Sequence, residues 1–291
     1  MTDHETPPTI DPVMEAAWIT AQRRAHWPAT IAGFEAASAA VTALPGYTGD
    51  IAYGPHPRQG FDWFAGDGAA RGLVLYLHPG YWQMRDRTLF RCLMPVFAAL
   101  GLDVATVGYP LCPEVSLADL TETVRQAVPA LLAHGRATRG RDLPIVAAGH
   151  SAGAHLAVEL AVTDWVARGL GSSPIAGVVA LSGVYDLQPL IATSLNVALR
   201  LDGDGARAAS PIHRVGAPGC PALFAVGAAE TAVFLDQNRR MAAAWRAGGD
   251  AADVFESAGD DHFSLITRLT DGASPLRAAV ADLIERACRR S

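Results

Sequence analysis

The stretch Leu143-Pro-Ile-Val-Ala-Ala-Gly149-His150-Ser151-Ala152-Gly153-Ala-His-Leu-Ala-Val-Glu-Leu-Ala161 decides the fold. Its first six residues are an apolar, β-type run. Residues 152–161 are small or apolar with good helix formers, so they read as a helix leaving the strand end directly. Between them lies Gly-x-Ser-x-Gly, which at a strand-to-helix junction is a nucleophile elbow: a sharp turn that holds a serine above a sheet edge. The two glycines fit a turn packed tightly against neighbouring backbone, where a Cβ would collide.

Outward from the elbow, apolar runs and amphipathic runs alternate. Strands are expected at Gly72–Leu77, Leu102–Val107, Ile175–Leu181, Cys220–Val226 and Ala252–Phe255. Helices are expected at Thr88–Leu100, Ser116–His134, about Phe234–Ala247 and Pro275–Arg289. Two shorter strands, Asp50–Tyr53 and Gln59–Phe64, flank a Pro/Gly turn near Gly54. Continuous apolar strands with helices between them imply an α/β fold, a mostly parallel, doubly wound sheet covered on both faces. Residues 13–291 are expected to form a single domain after a disordered lead-in over 1–12. Within it, 14–41 reads as a helical cover, and 187–218, long for a connection, as a small cap or lid.

Composition narrows the chemistry. Half of the 291 residues are hydrophobic and 18% are charged, enough for a large core. The net charge of −6 and the lack of a basic run argue against a nucleic-acid partner. All 23 basic Lys/Arg positions are arginine, so P-loop, Schiff-base and Ser–Lys chemistries are excluded. Four scattered cysteines, with no CxxC, fit free thiols in a reducing compartment. The polar N-terminus is unlike a signal peptide, and no apolar run would span a bilayer. A cytoplasmic protein with no membrane association is the expectation; a homodimer stays open.

A serine needs a base, and the base needs an orienting acid. When a serine leads, the acid and then the histidine follow along the chain. His262, in Gly259-Asp-Asp-His-Phe263, falls beyond the last strand, where the base is expected. Glu230, in Gly227-Ala-Ala-Glu230, follows the preceding strand and is the preferred acid, with Asp186 as its rival. Oxyanion donors are expected from the N–H groups of Ala152 at the elbow helix and of Gly80 and Tyr81 in His78-Pro-Gly-Tyr-Trp82. Trp82 and Tyr185 are candidates for an aromatic-accepting pocket. His78 is expected to brace the oxyanion loop, and His150 and His155 to pack. No His-Glu-x-x-His or acidic cluster is present, so neither metal nor cofactor is expected.

With those residues in view, the sequence resembles the arylformamidases (kynurenine formamidases) of the α/β-hydrolase fold, within the wider hormone-sensitive-lipase-like esterases. The resemblance rests on His78-Pro-Gly-Tyr-Trp-Gln83, Gly149-His-Ser-Ala-Gly-Ala-His-Leu-Ala157, Ser182-Gly-Val-Tyr-Asp-Leu-Gln-Pro-Leu190 and the Gly-Asp-Asp-His-Phe tail, in that order. It implies Ser151 as nucleophile, His262 as base and Glu230 in the acid position, acting on a small-acyl aryl amide such as N-formylkynurenine. A carboxylesterase would use the same groups, and a non-catalytic binder of a small molecule would share only the fold. Two residues depart from the family pattern. Pro79 stands where a glycine is usual and removes one N–H; Glu230 stands where aspartate is usual.

Overall fold

A computed structural model describes residues 9–289. Eight strands form one sheet: β1 (Tyr47–Ala52), β2 (Gly60–Phe64), β3 (Leu73–Leu77), β4 (Asp103–Val107), β5 (Ile145–His150), β6 (Ile175–Leu181), β7 (Ala222–Gly227) and β8 (Ala252–Ser257). Their order is β1-β2-β4-β3-β5-β6-β7-β8. β2 runs antiparallel to both its neighbours, and every pairing from β4 to β8 is parallel.

β3, β4, β5 and β7 are buried along their whole length, which is why they read as unbroken apolar runs. Their side chains alternate between two cores. Leu73, Leu75 and Leu77 pack with residues of the helices Leu117–Arg139, Ala152–Ala161 and Ala232–Ala247. Val74 and Tyr76 face the opposite core, which includes residues of Trp27–Val41, Met94–Ala98, Ser264–Thr270 and Pro275–Arg289. The edge strand β1 alternates half-buried with exposed residues instead.

Several boundaries differ from the sequence reading. The expected helix over 88–100 is a 3-10 segment, Arg87–Leu93, followed by a short α-helix from Met94. Pro95 lies in the first turn of that α-helix, where its missing N–H costs nothing. The helix expected at 116–134 runs through Pro129 to Arg139 and stops at Gly140 in a left-handed cap. The segment 14–41 is not one helix. Pro12–Glu15 and a π-turn, Ala16–Thr20, come first, and a new helix starts at Trp27 with Pro28 in its first turn. The expected lead-in lies outside the described residues over 1–8, and Asp11 caps the helix that opens at Pro12. Residues 187–218 contain four short helical pieces between Gln188 and His213. The N-terminal turn is tied to them: Ser194 donates to Glu15, and the Asp11 N–H to the Ala192 carbonyl.

Among the described residues, no helix is long and apolar enough to cross a membrane.

Candidate active site

Ser151, Glu230 and His262 each follow the C-terminal end of a parallel strand: β5, β7 and β8 respectively. Such ends are where open α/β sheets gather their chemistry. Ser151 itself sits at φ 56°, ψ −119°, a left-handed conformation that costs a non-glycine residue on the order of 1–3 kcal/mol. Packing enforces it. A Cβ on Gly153 would run into the carbonyl oxygens of Leu77 and His78, and one on Gly149 into that of Gly153. The elbow is thus wedged against the end of β3, and the Ser151 N–H is held by the Leu181 carbonyl of β6 at 2.8 Å.

His262 Nδ1 meets Glu230 Oε2 at 2.7 Å, with both side chains buried. Donation from Nδ1 to the carboxylate leaves the Nε2 lone pair free to accept a proton. Glu230 is saturated by three further donors: the Ser182 hydroxyl, the Gly227 N–H at 2.9 Å and Gln22 Nε2 at 3.0 Å. A carboxylate with this many donors is fixed in orientation. Asp186 does not approach the histidine. Its carboxylate pairs with Arg240 at 2.9 Å, because its backbone is held by Gln237 on the helix Ala232–Ala247. Of the two carboxylates, Glu230 is the one in contact with His262.

The histidine loop is built from its flanking aspartates. Asp260 accepts from Ser257, Ser264 and Arg268, while Asp261 accepts the N–H groups of Phe263 and Ser264. Asp261 also takes Trp27 Nε1 at 3.3 Å and His26 Nε2 at 2.9 Å, so this loop is anchored to the N-terminal segment.

After β3 the chain turns through three successive positive φ values, at Gly80 (132°), Tyr81 (52°) and Trp82 (61°). Gly80 is required here twice over: by its φ, and because a Cβ would collide with the Met84 carbonyl. Gly80 and Tyr81 line the same cavity as Ser151 and His262, a space of about 610 Å³. Ala152 opens the elbow helix, so its N–H is one of the first-turn donors without an intrahelical acceptor. Tyr81 is tethered outward, its hydroxyl donating to the Trp18 carbonyl at 2.7 Å.

Two expectations about the pocket fail. Trp82 is fully buried, with its indole N–H on His155 Nδ1 at 3.2 Å; the run of left-handed residues turns it behind the loop. Tyr185 is likewise fully buried and packs edge-on against Phe224. The apolar walls come instead from Ile19, Trp27 and Ile31 of the N-terminal segment, with Met84, Leu195 and Phe263. Trp27 meets Phe263 edge-on at 4.6 Å. Gln22 was not anticipated either. A buried glutamine two residues from a helical turn carries no sequence signal for a partner on the far side of the fold.

Three further histidines near the site are fully buried. His78 stacks on Tyr109 with ring centroids 4.2 Å apart, and its Nδ1 donates to the Pro79 carbonyl, bracing the turn after β3. His155 bridges Trp82 and the Ala209 carbonyl. His150 lies against the His262 ring at 4.4 Å. Burial pushes His78 down to about 4, His155 below its ordinary value and His150 well below it. All three are neutral in the folded protein near neutral pH. Between the ordinary value of 6.5 and their lowered values the unfolded chain binds protons that the folded chain does not. The stability they contribute is whole above pH 6.5 and declines as the pH falls towards 4. Calorimetric Tm is expected to drop by several degrees between about pH 7 and pH 5, above the range where ordinary carboxylates titrate. A flat Tm over that interval would contradict three buried neutral imidazoles.

Among the described residues, no group of three or more His, Cys, Asp or Glu side chains is arranged to hold a metal ion.

Comparison with known proteins agrees with this fold. A family model described as the alpha/beta hydrolase fold matches residues 74–265, about two thirds of the chain. Kynurenine formamidase of Danio rerio is 29% identical over 255 residues, which cover 85% of this chain and 84% of that one. The crystal structure of a candidate thioesterase from Silicibacter sp. TM1040 is 31% identical with a TM-score of 0.81, covering 91% of this chain and 97% of that one. A hyperthermophilic esterase from Pyrobaculum calidifontis shares the fold at 21% identity and TM-score 0.69, over 97% and 99% of the two chains. The chain belongs to the alpha/beta hydrolase fold family and is a hydrolase.

Proposed function

We propose that this enzyme hydrolyses a small-acyl aryl amide, N-formylkynurenine, to kynurenine and formate through an acyl-enzyme. Ser151 Oγ attacks the formyl carbon as its proton passes to His262 Nε2. The resulting oxyanion is stabilised by the N–H groups of Gly80, Tyr81 and Ala152. The imidazolium, held by Glu230, then protonates the departing aryl nitrogen as the C–N bond breaks. Water, deprotonated by the same imidazole, attacks the formyl-serine and releases formate.

The observation that carries this reading is the 2.7 Å contact of Glu230 with His262 Nδ1, beside a cavity that both His262 and the strained Ser151 line. The amide is favoured by the likeness to kynurenine formamidase over most of both chains. Aromatic and aliphatic walls at Trp27, Phe263 and Ile31 suit an aryl group. A carboxylesterase acting on short-chain or aryl esters is the second reading, favoured by the esterase among its structural relatives.

Steady-state hydrolysis of N-formylkynurenine, p-nitrophenyl acetate and p-nitrophenyl butyrate separates them. The formamide is expected to give a kcat/KM at least about tenfold above either ester. The reverse ranking would make the enzyme a carboxylesterase. Silence on all three, with no labelling of Ser151 by an organophosphonate, would leave a binding protein.

A further inference from the structure

The cavity is cationic in an acidic protein. Arg23, Arg24 and Arg85 contribute to its lining and no aspartate or glutamate does, although the chain carries a net charge of −6. The three guanidinium groups are not equivalent. Arg24 is committed to backbone, donating to the carbonyls of Ala21, Arg23 and Ala229. Arg23 is exposed at the mouth. Arg85 is half-buried and, among the described residues, has no carboxylate partner. Its guanidinium instead lies over the ring of Phe263, the residue after His262, at 4.9 Å from the centroid.

The carboxylate beside it in sequence is already occupied. Asp86 accepts from the Thr88 N–H at 3.0 Å and pairs with Arg58 at 3.3 Å. The Arg85 carbonyl is also held by Arg58. Backbone at Arg85 is left-handed, with φ 73°, an uncommon conformation for a residue with a long side chain. Burial without a compensating anion pushes the guanidinium down from its ordinary value. A partly desolvated cation with an aromatic face on one side and the cavity on the other is half of an ion pair. Its planar fork matches a carboxylate, which can be gripped by two parallel N–H···O bonds.

We propose that Arg85, with the exposed Arg23, receives a carboxylate on the substrate, so that the enzyme selects aryl amides and esters that bear a carboxylate over counterparts in which it is masked. This rests on the cavity being the substrate site, but not on the bond cleaved being an amide. Arg85 acts on specificity, and its contribution falls mainly on KM.

The test compares paired substrates that differ only in charge: N-formylkynurenine with its carboxamide, and 3-acetoxybenzoate with its methyl ester. In the unaltered enzyme the member of each pair with the free carboxylate is expected to have a kcat/KM about 30-fold higher. Arg85→Gln should collapse that ratio towards one, while Arg85→Lys keeps part of it because charge remains without the fork. A ratio near one in the unaltered enzyme, or one that survives Arg85→Gln, overturns the proposal. Poor turnover of both formamides with an intact ratio on the ester pair would overturn the amide reading and leave Arg85 in its role. Should Arg85→Gln fail to fold, competitive inhibition of the unaltered enzyme supplies the answer. Benzoate must then inhibit p-nitrophenyl acetate hydrolysis more tightly than benzamide, and equal inhibition sinks the idea.

Discussion

Ser151→Ala is expected to lower kcat/KM on N-formylkynurenine by about 10⁵-fold, the largest single loss available in this protein. The side chain removed is the one that would form the covalent intermediate. The backbone at position 151 gives alanine no new difficulty, since serine already holds φ 56° under the same packing of Gly149 and Gly153. Fold and substrate affinity should therefore survive, which makes the variant a clean control. Binding is checked by equilibrium titration and chemistry by single turnover. Residual hydrolysis above water would come from the oxyanion donors alone. A loss smaller than a hundredfold would mean that Ser151 is not the nucleophile.

Glu230→Ala is expected to cost about 10³- to 10⁴-fold in kcat, while Asp186→Ala stays within about threefold. The two carboxylates follow successive strands, so sequence order alone leaves both open, and geometry separates them. Glu230 holds His262 Nδ1 in one tautomer, and its loss frees the ring to turn. Its removal also strands the Ser182 hydroxyl, the Gly227 N–H and Gln22 without their acceptor, at about 1–3 kcal/mol for each buried donor left unpaired. Lower stability is thus expected beside lower activity, and Tm recorded alongside kcat keeps the two apart. Asp186 pairs with a partly exposed Arg240, an interaction worth no more than about 1 kcal/mol. Equal losses from the two variants would show that the acid had been misassigned.

Much of this was legible in the sequence, for definable reasons. Buried parallel strands have to be apolar throughout, so β3, β4, β5 and β7 announce themselves. The glycines at 149 and 153 are dictated by carbonyl oxygens that any side chain would strike. Order along the chain placed His262 beyond the last strand and Glu230 after the one before it. What escaped was direction. Nothing local distinguishes Trp82 from Tyr81, yet the turn at 80–82 sends one into the core and leaves the other on the cavity. Tyr185 escaped in the same way, since an aromatic residue at a strand end suits a core as well as a pocket. The N-terminal break at 21–26 was missed because helix-forming composition continues across it. Only the start at Trp27, with Pro28 in the first turn, reveals a second helix. Ser264–Thr270 was also unforeseen, being too short for a periodic signal.

The contact between Gln22 and Glu230 spans 208 positions of the chain. Thr231 reinforces it, donating its hydroxyl to the Ala17 carbonyl and its N–H to Gln22. A loop of that size closes at a substantial entropic cost, and its reward arrives only once both ends are in place. Glu230, the proposed orienting acid, takes one of its donors from residues near the start of the described chain. If Glu230 orients His262 as proposed, the geometry of the base depends on the docking of residues 17–22, and loosening that segment is expected to reach the site.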